Sequence, residues 1–204
     1  MSEGDRIQRQ AQLDKEEREL LEEIVTDLRE TVEDEVEYEL EHRFFLTERE
    51  TNQDLSDEEL KTRSRLVEAI EHENPGDKNW DWCYDQYVIG VGYTIVNRLS
   101  AFRCMEVRGF IDQPVTQIGD SGLTPAAERV LGDRFDVGRD EALIAAYHEE
   151  CGSLGEQIEI LFNPDSRYSV IDPDPDLFRA LVGELDEIPD EISRIRGRTQ
   201  WAAI

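Results

Sequence analysis

The stretch "YTIVNRLSAFRCMEVRGF", Tyr93 to Phe110, decides the fold. It is the most apolar helix-patterned run in a very acidic chain, yet it carries Asn97, Arg98, Arg103 and Glu106 among its apolar residues. At helical spacing, Ile95, Leu99, Phe102 and Phe110 share one stripe, and Asn97 and Arg98 fall on flanking faces. Arg103 and Glu106 are three apart and can pair on one face. A buried arginine, amide or carboxylate costs several kcal/mol unless it is partnered. Two readings follow: a buried polar network that fixes how neighbouring helices dock, or arginines that reach a phosphate.

Working outward, the same helix extends back to about Trp80, with Gly90 and Gly92 as places where it can loosen. Residues 5–46 read as one long helix, because Leu20, Leu21, Ile24, Val25, Leu28, Val32, Val36 and Leu40 recur at three- and four-residue steps. Its other faces are almost all Glu, Asp and Arg. So narrow a stripe suits a helical hairpin, a partner groove, or packing on the helix's own domain. Ser56 followed by Glu59 is a capping box, opening a helix that runs to about Glu71. Pro75-Gly76 marks a turn, Pro114 to Leu123 a loop, and Thr124-Pro125 the start of a short helix. Asp136 to Leu161 reads as a further helix interrupted near "CGSLG" (151–155). A proline-punctuated loop (163–176) and a short amphipathic helix (Leu177–Leu185) follow. No period-2 pattern stands out. The fold class expected is all-α: a multi-helix domain with a long N-terminal acidic helix and proline-rich loops.

The 204 residues carry 49 acidic and 22 basic side chains, a net charge of −27. Only Lys15, Lys61 and Lys78 are lysines; the other 19 basic residues are arginines. An acidic, lysine-poor chain that still has apolar periodicity fits a cytosol with molar salt, where a Debye length of about 3 Å screens self-repulsion. With no signal-peptide pattern and no apolar run near about 18 residues, a cytoplasmic location and no membrane partner are expected. Cys83, Cys104 and Cys151 form no C-x-x-C pair and read as buried thiols.

Other chemical patterns are weak. Gly90 and Gly92 begin a G-x-G fingerprint, but the third glycine is replaced by Ile95 and the run is helical, so close helix–helix approach is the better reading. Asp172, Asp174 and Asp176 resemble the start of a calcium loop, which then fails at Leu177 and Gly183. Glu59-x-Lys61 is a fragment of a metal-nuclease signature, on what reads as a helix start. His148 and Cys151 have helical spacing for two metal ligands, and two ligands make no zinc site. No catalytic residue and no metal site is expected.

The stretch "GYTIVNRLSAFRCMEVRGFI" (92–111) resembles the helical N-terminal segment of PglX-type adenine-specific DNA methyltransferases of BREX phage-defence and related restriction–modification systems. The pattern is an aromatic, then Asn-Arg-Leu, then Arg, Met-Glu and Gly. Here those are Tyr93, Asn97, Arg98, Leu99, Arg103, Met105, Glu106 and Gly109. "DPDLFRALVGELDEIPDE" (174–191) resembles the stretch before the catalytic core in the haloarchaeal branch, and the likeness covers roughly residues 20–195. It implies adenine N6 methylation with S-adenosylmethionine in the family. The cofactor loop and the Asn-Pro-Pro-Tyr-like motif are missing from this chain, so the cofactor would belong to a catalytic domain the chain does not contain. "RGRTQWAAI" (196–204) departs from the family's continuation, and a broken frame or split gene near Arg194 is expected.

The expected organisation is therefore a long acidic helix (1–50), a helical domain resembling the PglX N-terminal region (51–195) and a divergent tail (196–204). The expected role is a scaffold, docking to DNA, to other defence-system subunits or to a separately encoded methyltransferase domain, without methylation by the chain alone. The alternative is a free-standing acidic interaction module of a halophile. Arg98, Arg103 and Arg108 are the candidate DNA contacts, with Arg194, Arg196 and Arg198 as a second basic cluster. The net charge opposes DNA binding, because such binding is driven by counterion release from phosphates.

Overall fold

Asn79 starts the central helix by accepting the backbone N–H of Trp82 on its side chain. In the computed structural model, which describes residues 14–50, 53–74, 76 and 79–189, that helix is the third of seven. The described residues contain no strand, and the fold is all-α. The helices are α1 (Lys15–His42), α2 (Asp57–Glu71), α3 (Trp80–Glu106), α4 (Pro125–Asp133), α5 (Arg139–Gly155), α6 (Glu159–Phe162) and α7 (Pro175–Asp186). A single 3-10 turn, Arg167–Ser169, lies between α6 and α7.

Helix α3 buries residues on several faces, among them Tyr84, Tyr87, Val91, Ile95, Leu99 and Phe102, so it forms the axis around which the other helices pack. It ends at Glu106, short of the expected Phe110. Gly109 takes a left-handed φ of 70°, and the Phe110 N–H returns to Met105 O at 2.9 Å, the reversal that glycine permits at a helix C-terminus. Phe110 thus leaves the apolar stripe and is 73% exposed.

Helix α1 begins with a capping box the sequence reading did not single out. Asp14 accepts the Glu17 N–H (2.9 Å), and Glu17 accepts the Asp14 N–H (2.8 Å). Residues 5–13 of the expected helix lie outside the described residues, and 43–46 form a turn rather than its last turn of helix. Leu21, Leu28, Val32, Val36 and Leu40 are buried along α3 and α7, while Leu20 is exposed. The α1 stripe therefore packs on its own chain. One hydrophobic cluster runs from Leu21 to Ile188, so the expected boundary at residue 50 separates no packing unit.

Ser56 and Glu59 form their expected box at the start of α2. Thr124 caps α4, which carries Pro125 in its first turn. Helix α5 continues through Cys151–Gly155 and breaks only at residues 156–158, because Cys151 is buried in the cluster and holds that turn in place. Asp174 caps α7, whose Leu177, Phe178, Leu181, Val182 and Leu185 close the core. All three cysteines are buried.

Candidate functional site

The polar residues of α3 sort into ties between that helix and the loops around it. Arg98 is 4% exposed. Its Nε donates to Leu161 O (2.8 Å), and its Nη2 donates to Asn163 O (2.9 Å) and to Ser169 Oγ (2.8 Å). One planar guanidinium thus pins the end of α6 and the following loop to the centre of the molecule, a geometry suited to its fixed fork of donors. Glu106, 8% exposed, accepts from Val115 N (2.6 Å), Thr116 N (2.9 Å) and Thr116 Oγ1 (2.5 Å). One carboxylate oxygen holds the 115–116 backbone and the other the Thr116 hydroxyl, in place of the Arg103 pairing their spacing allows. Arg103, also buried, reaches Asp186 at the end of α7 (3.1 Å).

The remaining positions of the resembling pattern are structural in different ways. Tyr93 accepts a hydrogen bond from Arg29 Nη1 (3.1 Å), and the Arg29 guanidinium lies 5.3 Å from its ring centre, joining α3 to α1. Arg29 Nε is also 3.0 Å from Glu33, though without a well-aimed hydrogen bond. Leu99 is buried, Asn97 and Met105 are half-buried, and Gly109 makes the helix stop. Of the candidate DNA contacts, Arg98 and Arg103 are buried and Arg108 is half-buried. Arg194, Arg196 and Arg198 lie outside the described residues.

A second clamp of the same kind escaped the sequence reading. Arg63 on α2 is buried and donates to four carbonyls: Phe44 O (2.8 Å), Phe45 O (3.3 Å), Glu48 O (3.0 Å) and Arg49 O (3.0 Å). It holds the turn after α1, where Phe45 adopts the left-handed φ of 51° that a non-glycine residue rarely takes. The only sequence signal was a lone arginine on the apolar side of an amphipathic helix.

Gly90 and Gly92 sit inside α3, with side chains of other segments in their place. A Cβ at Gly90 would lie 2.3 Å from the Tyr168 ring, and one at Gly92 would lie 2.9 Å from Glu33 Cγ. Gly92 permits the close approach of α1, as expected; Gly90 instead receives the ring of the 163–174 segment. Neither forms a turn that could cradle a cofactor. In "NPD" (163–165), the Asn163 side chain accepts the Asp165 N–H and its carbonyl accepts from Arg98, which closes a local turn. These residues do not fit S-adenosylmethionine.

The weaker patterns resolve in the same way. His148 pairs with Asp172 (3.0 Å), not with Cys151, whose thiol burial pushes up to about 11. Asp174 caps α7 and Asp176 pairs with Arg179 (2.8 Å). Hydrogen bonds from the Ser56 side chain and backbone lower the pKa of Glu59. Among the described residues, no group of three or more His, Cys, Asp or Glu could hold a metal. No helix among them is long and apolar enough to cross a membrane. Comparison with protein-family models, with curated proteins and with solved structures gives no match to the chain.

Proposed function

We propose that the chain is a cytoplasmic, non-catalytic helical scaffold of a PglX-like site-specific adenine DNA methyltransferase system, in a halophile. It serves as a docking partner for a methyltransferase domain or other defence subunits. The observation that supports this is the use made of the resembling pattern. Arg98, Arg103 and Glu106 lie on one helix and tie it to residues 161–169, to the end of α7 and to residues 115–116. Residues used in this way specify a rigid platform and need no substrate.

The test has two parts. Incubated with labelled S-adenosylmethionine and target DNA, the chain alone incorporates no label; robust incorporation refutes the reading. Mixed with a catalytic domain of a PglX-type enzyme, it comigrates on size exclusion in molar KCl; failure to comigrate removes the docking role.

Direct DNA contact through Arg98 and Arg103 has less support, since both guanidiniums are buried and bonded within the chain. A free-standing module using the α1 stripe has less support too, since that stripe faces α3 and α7.

A further inference from the structure

The segment 163–174 straps α6 to α7 and is held in two dissimilar ways. Its first half is fixed by a guanidinium and two tyrosine hydroxyls. Arg98 binds Asn163 O and Ser169 Oγ, Tyr87 donates its hydroxyl hydrogen to Arg167 O (3.1 Å), and Tyr168 donates to Glu73 (2.8 Å). Burial pushes the Tyr87 and Tyr168 hydroxyls upward, so both stay protonated donors. The second half ends at Asp174, which caps α7, and before that cap it is tied at Asp172. Among the described residues, no backbone hydrogen bond holds residues 170–173, and the His148 Nε2–Asp172 Oδ2 pair (3.0 Å) is the side-chain tie that joins this half to the body. Ile171 and Pro173 are buried on either side of it. Beneath them is an open hollow of about 730 Å³, walled by residues 170–175, α5 and the end of α1.

We propose that the His148–Asp172 pair is a proton-operated hasp: it fastens residues 170–174 to α5 while His148 is charged, and loosens that half of the strap when His148 is neutral. A neutral imidazole still donates one hydrogen bond but loses the charge that makes the bond strong. Asp172 of the strap favours the charged imidazole, while burial and Arg98 of α3 oppose it; Glu39 and Arg43 of α1, Asp140 and Glu141 of α5 and Asp174 of the strap line the same hollow. Tyr147 and Cys151, its neighbours on α5, stay neutral because burial raises both. The Asp172 hydrogen bond raises the histidine pKa and burial opposes it, and the net shift is upward from the ordinary histidine value. The hasp stands whether or not the chain docks to a methyltransferase domain.

The test follows the methyl resonance of Ile171 and the ring resonances of His148 from pH 5.5 to 8.5 in molar KCl. His42 and His72, the other two histidines, are assigned separately. The Ile171 shift is expected to titrate with the midpoint of His148. In His148→Gln it is expected to lose its pH dependence and to sit near its high-pH position. In Asp172→Asn the His148 midpoint falls and the Ile171 shift again becomes flat. An Ile171 shift that is invariant in the native chain, or one that still titrates in His148→Gln, overturns the hasp. Both substituted side chains are near half exposed, so the fold tolerates either change.

Discussion

A guanidinium buried among carbonyls sets a sharp test for substitution. Arg98 offers three aligned hydrogen bonds to the end of α6 and the loop after it, and an ammonium at the same place is a point charge on a flexible stem. Arg98→Lys is expected to lower stability by about 2 kcal/mol and Arg98→Ala by about 3–5 kcal/mol, since Leu161 O loses its guanidinium donor and Asn163 O keeps only the longer bonds from Ser166 N (3.3 Å) and Ser169 Oγ (3.2 Å). Urea unfolding measures both. Glu106→Gln can keep its amide oxygen on the two backbone N–H groups but sets an NH₂ against the Thr116 hydroxyl and removes the charge that strengthens all three bonds, for a loss of about 2 kcal/mol. Ser100 offers the opposite case: its buried hydroxyl finds no hydrogen-bond partner among the described residues. Ser100→Ala is therefore expected to be neutral or stabilising by up to about 1 kcal/mol in the same measurement. The unusual residues of 93–110 were visible in the sequence, but their partners were not. Leu161 and Asn163 act through carbonyls and Val115 through its N–H, groups that every residue owns and no side-chain pattern announces.

At the scale of elements, the two glycines of α3 separate close contact from tolerance. Gly90 faces the ring of Tyr168, which is fixed by its bond to Glu73; Gly92 faces the flexible stem of Glu33. Gly90→Ala should cost about 1–3 kcal/mol through overpacking. Gly92→Ala should be near neutral, because Glu33 can shift and the alanine gains about 1 kcal/mol of helix propensity. Thermal unfolding of the two single variants decides this; equal losses would show that the strap yields as readily as Glu33. Caps with a side-chain signature were legible, as at Ser56-Glu59 and Thr124-Pro125. The stops were harder to read. Periodicity carried the central helix to Phe110, whereas a left-handed Gly109 ended it at Glu106. "CGSLG" looked like a break, yet burial of Cys151 kept α5 intact through Gly155.

At the scale of the molecule, charge and burial work together. Glu33, Glu39, Glu150 and Glu184 have pKa values raised above the ordinary carboxylate range, with burial the largest cause in each and neighbouring carboxylates adding to it. A carboxyl whose folded pKa is raised contributes stability that is full below its unfolded value and is lost as pH rises through the folded value. The raised pKa of His148 acts in the same direction, at higher pH. Melting temperature is therefore expected to rise as pH falls from 8 towards 5, first through His148 and then through the glutamates; a fall over that interval contradicts the charge balance described here. Salt should act in the same direction. The net charge of −27 favours unfolding by self-repulsion, and molar KCl, with a Debye length of about 3 Å, screens it. Differential scanning calorimetry at 0.1 M and 2 M KCl is expected to show a higher melting point at the higher concentration.

The two arginine clamps also govern how far such a chain can drift while keeping its shape. A loop anchored by its side chains is lost when those side chains change. A loop anchored through its carbonyls, as Arg63 anchors 44–49 and Arg98 anchors 161–163, keeps its anchor whatever residues pass through it. Descendants of this chain can rewrite those connections almost freely, provided the two arginines stay. Common ancestry would then be preserved in a few scattered positions and in the backbone path, long after the letters between them have ceased to agree.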